Sequence, residues 1–492
     1  MAVTDRLAAL SPEQRALFER LREQSRQNRP APRVPPPVRR VSPRDGTGDW
    51  PLSFDQERLW RLHQERPDLV SWNVDAGSRI RGSLDIPLFL TAFHEVVRRH
   101  AAFRTTFPVI PEADGRPVQR VVEFVAPAAS VLDLSALPAA LREPAGHSAI
   151  YDHTRQPFDL ARGPLLRLAL VRLEEREHLF LLTVHHLATD WVTFQILFQE
   201  LLQIYEASRE GRASFLPQLP VQFPDYVLWE RELWQGEALE EEAGFWRREL
   251  EGYPLVCSLS GDRPRPAVQS QRGGLAPVRA GAAVSDRLRG LARREGATMF
   301  MAVLAVLGVV LQRLTGEERF LIGSNGANRA RPELEAVAGF FLNQIPFAVD
   351  LSGDPTFREL LARARRTALA AYAHQNLPFS QLIEALGAAD DGSRNPVVQV
   401  VLLLLEGESG SEAGDLRFEP VGLYDGNSRW DLMFGLYDYH DAGLTGPLEY
   451  NADIFDAPTV GRLLELFYRL LDAVTADPDA HLSALPSCED LR

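Results

Sequence analysis

Two adjacent histidines and an aspartate stand at the end of the run HLFLLTVHHLATDW, from His178 to Trp191. An apolar strand-like stretch leads into His185 and His186, and a helix-like stretch, TFQILFQELLQIYEA, follows Asp190. Asp190 therefore falls where a helix N-cap belongs. Successive side chains on a strand point to opposite faces. One histidine can then face a cleft while its neighbour packs inward, and the pair does not act as twins. An imidazole changes charge near neutral pH, so a histidine at a strand end is suited to accepting or donating a proton. A lone HH pair is also what two packed core histidines would look like. Spacing of i, i+1 is poor for chelation, and no HExxH or CxxC accompanies it, so no metal is expected. GxGxxG, GxxxxGK[ST] and GxSxG are absent, which removes most support for dinucleotide, P-loop and serine-hydrolase readings.

The elements that must position these residues are mixed. Helical stretches are expected over Pro87–Arg99, Phe194–Ala207, Val284–Arg294, Phe300–Leu314, Thr356–Ala373 and Pro458–Val474. Strands are expected over Val118–Phe124, Leu165–Leu173, His178–His185, Arg319–Ser324, Phe340–Leu351, Val397–Leu404 and Trp430–Tyr437. Helices and strands interleave on both sides of a Pro-, Gly- and Arg-rich stretch at 260–274, which reads as a lobe boundary. The expected division is a helix and Pro/Arg-rich linker over 1–47, an N-terminal lobe over 48–265, a C-terminal lobe over 266–480 and a tail over 481–492. Ser11-Pro12-Glu13 starts the first helix, which carries Leu17, Phe18 and Leu21; NRPAPRVPPPVRRVSPR after it should be extended.

Composition narrows the function classes. The 492 residues are 45% hydrophobic and 24% charged, an ordinary globular balance. Net charge is −14, which argues against general nucleic-acid binding. All 53 basic residues are Arg, a feature of genome composition rather than of function. The longest nearly apolar run, Met299–Leu311, is shorter than the ~18 residues that would span a membrane. The first residues contain an Asp and no apolar core, so no signal peptide is expected. Cys257 and Cys488 are the only cysteines and suit a reducing, cytoplasmic setting.

Seven ordered segments give the histidine run a context. LSFDQERLW (Leu52–Trp60), RHAAFRTTF (Arg99–Phe107), HHLATDW (His185–Trp191), FPDYVLWERE (Phe223–Glu232), IGSNGANR with GFFLNQIPF (Ile322–Phe347), HQNLPFSQLIEAL (His374–Leu386) and DGSRNPVVQV (Asp391–Val400) occur from about residue 50 onward. Together they resemble the core motifs of the condensation domains of nonribosomal peptide synthetases. That resemblance implies an α/β fold of two chloramphenicol-acetyltransferase-like lobes, a V-shaped pseudodimer with a central tunnel. It implies amide formation between a donor acyl thioester and the amine of an acceptor aminoacyl thioester. Donor and acceptor peptidyl carrier proteins and other synthetase domains would be the partners. The 4′-phosphopantetheine arms would arrive on the carriers, with no cofactor held by this chain.

The family's functional residue is the second His, which maps onto His186. It would position the amine, take its proton, or hydrogen-bond the tetrahedral intermediate. His185 maps onto a structural role. Asp190 would pair with Arg329 of ANR and fix the loop. Asn343 maps onto a position close to the tunnel, either hydrogen-bonding a carbonyl or pantetheine amide or satisfied by backbone as a strand Asn, and Trp191 and Thr193 join it there as departures from the pattern: Trp191 replaces the motif Gly, and Thr193 replaces Ser. Trp191 could narrow one arm of the tunnel, shape a substrate pocket, or point into the core. Asp55 replaces the usual Ala of the first motif, and Ala101 the usual Glu of the second. Arg58, Arg104, Trp60, Trp229 and Trp234 read as structural, and Arg22, Arg26, Arg39 and Arg40 as carrier-facing cations. Ester-forming or free-acceptor acyl transfer, a non-catalytic docking platform, and epimerisation stay open. Cyclisation domains and the cytochrome-recruiting branch change the histidines that this chain keeps.

Overall fold

Alternating apolar runs become strands because each can bury one face or both, and here they do so in two separate sheets. The structure is a computed structural model, and it describes residues 35–487 apart from 44–45, 69, 112–114, 408–409 and 440. The first six-stranded sheet runs, edge to edge, Ser411–Ala413, Leu416–Pro420, Asn73–Arg81, Glu177–His185, Leu166–Glu174 and Ala129–Asp133. Its pairs are antiparallel except the last, which is parallel. Helices Ile86–Arg99 and Trp191–Arg209 close one face of it, burying Phe89, Phe93, Phe194 and Leu197 against Phe180 and Leu182.

The second six-stranded sheet runs Asn343–Asp350, Arg319–Gly326, Val400–Glu406, Leu432–Tyr439, Gly443–Asn451 and Gly273–Ala280. Val400–Glu406 is parallel to both neighbours. Its core is larger and is centred on helix Met299–Thr315, whose residues Met301–Leu311 are all buried. A helix apolar on every side must be enclosed on every side, and helices Phe357–Ala373 and Ala457–Ala476 contribute to that enclosure. Among the described residues no single helix is long and apolar enough to cross a membrane, and no group of three His, Cys, Asp or Glu is placed to hold a metal.

Three features depart from the expected division. Ser411–Pro420 lies in the second half of the chain but pairs with the first sheet, Leu416–Pro420 running antiparallel to Asn73–Arg81 with Phe418 opposite Ile80. Phe418 and Leu416 are buried in the first core, so the hydrophobic effect and the need to cover a strand edge both favour the crossover. Residues 35–41 have no regular secondary structure and are docked on the first lobe and on Glu333: Asp225 accepts the backbone N–H groups of Val41 (2.7 Å) and Ser42 (2.8 Å), and Glu333 accepts that of Val38 (2.6 Å). Arg40 donates to the Leu219 and Pro220 carbonyls while Arg39 is exposed. The expected helix near Leu17, with Arg22 and Arg26, lies outside the described residues. At the other end, Leu482 and Leu485 are buried in the second core and Leu482 N–H bonds to Pro355 O at 3.0 Å, so the tail up to about residue 487 belongs to that lobe.

Candidate functional site

The strand Glu177–His185 ends in a single turn of 3₁₀ helix, His186–Ala188, before Asp190 caps helix Trp191–Arg209. Opposite faces of the chain take the two histidines. His185 is 1% exposed and packs edge-on against His63 (5.2 Å between ring centres) and Phe158 (6.1 Å). Its Nδ1 accepts the Leu187 N–H, so a neutral ring carries its proton on Nε2. Burial holds its pKa well below the ordinary range.

His186 is only partly buried. Its Nδ1 lies 2.9 Å from the Thr189 carbonyl, an acceptor, so the proton sits on Nδ1 and the Nε2 lone pair is free. Among the described residues nothing hydrogen-bonds Nε2. The ring is flanked edge-on by Phe340 at 5.1 Å and Trp72 at 6.4 Å, and its backbone N–H donates to Trp72 O at 2.8 Å. Burial, with Arg429 adding to it, lowers its pKa to about 4. The imidazole is therefore neutral at pH 7 and presents an acceptor.

The loop is locked from behind. Arg329 of the second half grips Asp190 through two bonds, Nη1 to Oδ2 at 2.8 Å and Nη2 to Oδ1 at 3.1 Å, with side chains only 5% and 3% exposed. Asp190 also accepts the N–H groups of Thr193 (2.7 Å) and Phe341 (3.0 Å). Arg329 continues to Thr193 Oγ1, Ala327 O and Val337 O and lies 4.2 Å over the Phe341 ring. The Thr193 hydroxyl donates to Gly339 O and accepts Gly339 N–H. A Cβ at Gly339 would lie 2.1 Å from Phe223, so only Gly permits this backbone approach. One ion pair thus carries hydrogen bonds into the GFFLNQ run of the other lobe and sets Phe340 beside His186.

Thr193 and Asn343 differ from their expected placement on a tunnel wall. Thr193 is 0% and Asn343 2% exposed, so neither faces solvent-accessible space. Asn343 Nδ2 donates to Gln375 O and Leu377 O, both at 2.7 Å, and Oδ1 accepts Phe379 N–H at 2.9 Å. It ties the HQNLPF motif to the sheet. Asn343→Leu should lower unfolding stability by about 2–4 kcal/mol by stranding those buried groups. A guanidinium titration midpoint indistinguishable from wild type would contradict this. Trp191, in the first turn of its helix, is 44% exposed and does not point into the core.

The sequence reading passed over several residues that complete the site. Gln56 of the LSFDQERLW motif donates to Leu187 O at 3.0 Å, bracing the histidine turn. Asp55, the departure from Ala, accepts Ser380 N–H at 2.9 Å and caps helix Phe379–Leu386 across the lobes. Phe54 N–H and the Tyr226 hydroxyl both bond Glu230, which burial pushes up to about 7. Trp72 and Arg429 lie outside all seven motifs. Nothing in their local sequence marks them, because their partners are backbone atoms distant along the chain.

Comparison with solved structures first establishes the class. The X-domain from teicoplanin biosynthesis superposes with a TM-score of 0.79 at 31% identity, over 92% of this chain and 100% of that one. The condensation domain of the Monacolin K polyketide synthase MokA gives 0.78 over 88% and 99%, and at 23% identity it shows the shared two-lobed α/β fold alone. A family model described as Condensation domain matches residues 47–491. The chain belongs to the condensation-domain family, whose members form peptide bonds by acyl transfer in nonribosomal peptide synthetases. It is 38% identical to one of the linear gramicidin synthase proteins of Brevibacillus parabrevis over 92% of this chain and 9% of that protein. It is 37% identical to phosphinothricin tripeptide synthetase PhsC of Streptomyces viridochromogenes over 98% of this chain and 44% of that protein. The chain therefore spans less than half the length of these relatives.

Proposed function

We propose that this chain joins a donor acyl or peptidyl thioester to the amine of an acceptor aminoacyl thioester, each substrate held on the phosphopantetheine arm of a carrier protein. The observation that carries the proposal is the His186 tautomer: Nδ1–H tied to Thr189 O, Nε2 free and flanked by two aromatic rings. The acceptor amine, with an ordinary pKa of about 7.7–8.0, arrives partly neutral. An imidazole with a pKa of about 4 is too weak to strip a free ammonium, a mismatch of roughly 4 units or about 5 kcal/mol. Its role is to accept a hydrogen bond from the neutral amine and aim the nitrogen lone pair at the thioester carbonyl. The C–N bond forms, the C–S bond breaks, and the amine proton is handed by way of Nε2 to the departing thiolate, leaving amide and thiol. Holding both arms in one site adds the entropic advantage of proximity.

His185, Asp190 and Arg329 are scaffolding for the turn in this reading. Thr193 holds the Gly339 backbone of the facing lobe, Asn343 ties two segments of its own lobe together, and Trp191 adds apolar surface at the foot of the loop, where it restricts substrate size. A docking-platform reading has one specific observation behind it: the 31%-identical X-domain was solved in complex with OxyB.

The experiment is intact-mass analysis of loaded donor carrier, loaded acceptor carrier and this protein. Transfer of the donor acyl mass to the acceptor supports condensation. Carriers that bind in a pull-down but exchange no mass would favour the platform.

A further inference from the structure

We propose that Arg429 is a positioning residue for this reaction, reaching from the second lobe to clamp the Ser71–Asn73 backbone on which His186 rests. The inference rests on the condensation reading above. Arg429 precedes strand Leu432–Tyr439 of the second sheet, whereas Asn73 begins the central strand Asn73–Arg81 of the first. Its Nε donates to Ser71 O at 2.6 Å, and Nη2 reaches Asn73 O at 3.4 Å. The guanidinium lies 5.1 Å over the Trp72 ring. Trp72 in turn accepts the His186 backbone N–H and sets its ring edge-on to the imidazole. Arg429 thus fixes the backbone on either side of Trp72 and lies over its ring, and Trp72 in turn braces His186.

The clamp is also a charge. Its hydrogen bonds go to neutral carbonyls, and among the described residues no carboxylate makes an ion pair with it. The groups whose charge acts on His186 are Arg429, Asp190 and the adjacent, neutral His185; Asp190 is committed to Arg329. Around Arg429 stand Asp75, Asp425 and Glu449. Burial pushes Asp75 up to about 6 and Glu449 up to about 7, which weakens both as counter-charges to the guanidinium. An imidazolium at His186 would meet that cation at close quarters. The result is a histidine kept in the neutral, acceptor form that a hydrogen bond from an amine requires.

The test pairs NMR titration of ¹³C-labelled histidine with the carrier-to-carrier transfer assay, the His186 resonance being assigned by its loss in His186→Ala. In Arg429→Met the His186 midpoint should rise above the wild-type value, with burial still holding it below the ordinary 6.5, and amide formation should fall by about tenfold, equal to 1.36 kcal/mol of barrier. In Arg429→Lys, which keeps the charge and loses the planar fork, the midpoint should stay near the wild-type value while part of the turnover is lost. An Arg429→Met protein with an unchanged midpoint and unchanged turnover overturns the proposal. If Arg429→Met does not fold, Arg429→Lys decides: a midpoint shifted to 6.5 overturns it. A wild type that transfers nothing overturns the condensation reading and the role in this reaction with it, and a midpoint that still moves in Arg429→Met then shows only that Arg429 acts on the His186 ring.

Discussion

Arg329→Ala should cost about 3–5 kcal/mol of unfolding free energy, the largest stability loss expected at the site, because it leaves Asp190 buried without its counter-charge. Asp190 is 2% exposed and its other bonds are to two backbone N–H groups. Arg329 itself makes bonds to Asp190, Thr193, Ala327 and Val337. The lost Arg also frees the Phe341 ring it covers. Removing both charges together, in an Asp190→Leu, Arg329→Met double variant, should recover only part of the loss: no charge is stranded, but the Thr193 and Phe341 N–H groups lose their acceptor. Urea denaturation of Asp190→Leu, Arg329→Met and the double variant measures the coupling. A loss under about 1 kcal/mol for Arg329→Ala would place the pair among weak surface bridges and contradict the burial argument.

His186→Ala should behave in the opposite way, with turnover falling by about 10²–10⁴-fold and the fold intact, the usual scale of losing one acid–base group. The ring is partly buried and gives the loop one bond to Thr189 O, whereas the Asp190 and Gln56 contacts that hold the turn are untouched. The transfer rate at saturating carriers and the melting temperature are the readouts. A variant as active as wild type would remove His186 from the mechanism. The pH dependence carries its own signature. With the folded pKa depressed to about 4, the unfolded state binds the His186 proton between about pH 6.5 and 4 while the folded state does not. His186 therefore costs the wild type stability as pH falls through that window. His186→Ala should show a shallower loss of stability between pH 7 and 5. Through the same window the acid limb of the wild-type rate should follow the acceptor amine, near 7.7–8.0, rather than an imidazole near 6.5.

Much of this site was legible because its motifs are local. The run ending in His185 and His186 reads as a strand, and Asp190 reads as a cap, because both signals lie within a few residues. The observed strand Glu177–His185 and helix Trp191–Arg209 begin and end close to where periodicity puts them. Strand Asn73–Arg81 was not legible. NVDAGSRIR has few apolar residues, and it is a strand because its partners on both edges make it one. Thr193 and Asn343 are a related case. A short polar side chain in a site motif suggests ligand contact, but here Thr193 bonds backbone of the facing lobe and Asn343 bonds backbone of its own. Arg429 illustrates the limit: its carbonyl partners lie more than 350 residues away in sequence.

The paired strands Ser411–Ala413 and Leu416–Pro420 also bear on recombination between relatives. A chimera cut only at the 260–274 boundary would keep the first lobe of one parent and the edge strand of the other. Phe418 and Leu416 would then enter a core they did not evolve with, and the backbone register from Arg417–Arg81 to Pro420–Ser78 would depend on foreign side chains. Grafts that carry 411–420 together with 48–265 keep that seam within one parent. The unit of exchange in this fold is discontinuous in sequence, and its natural breakpoints are three rather than one.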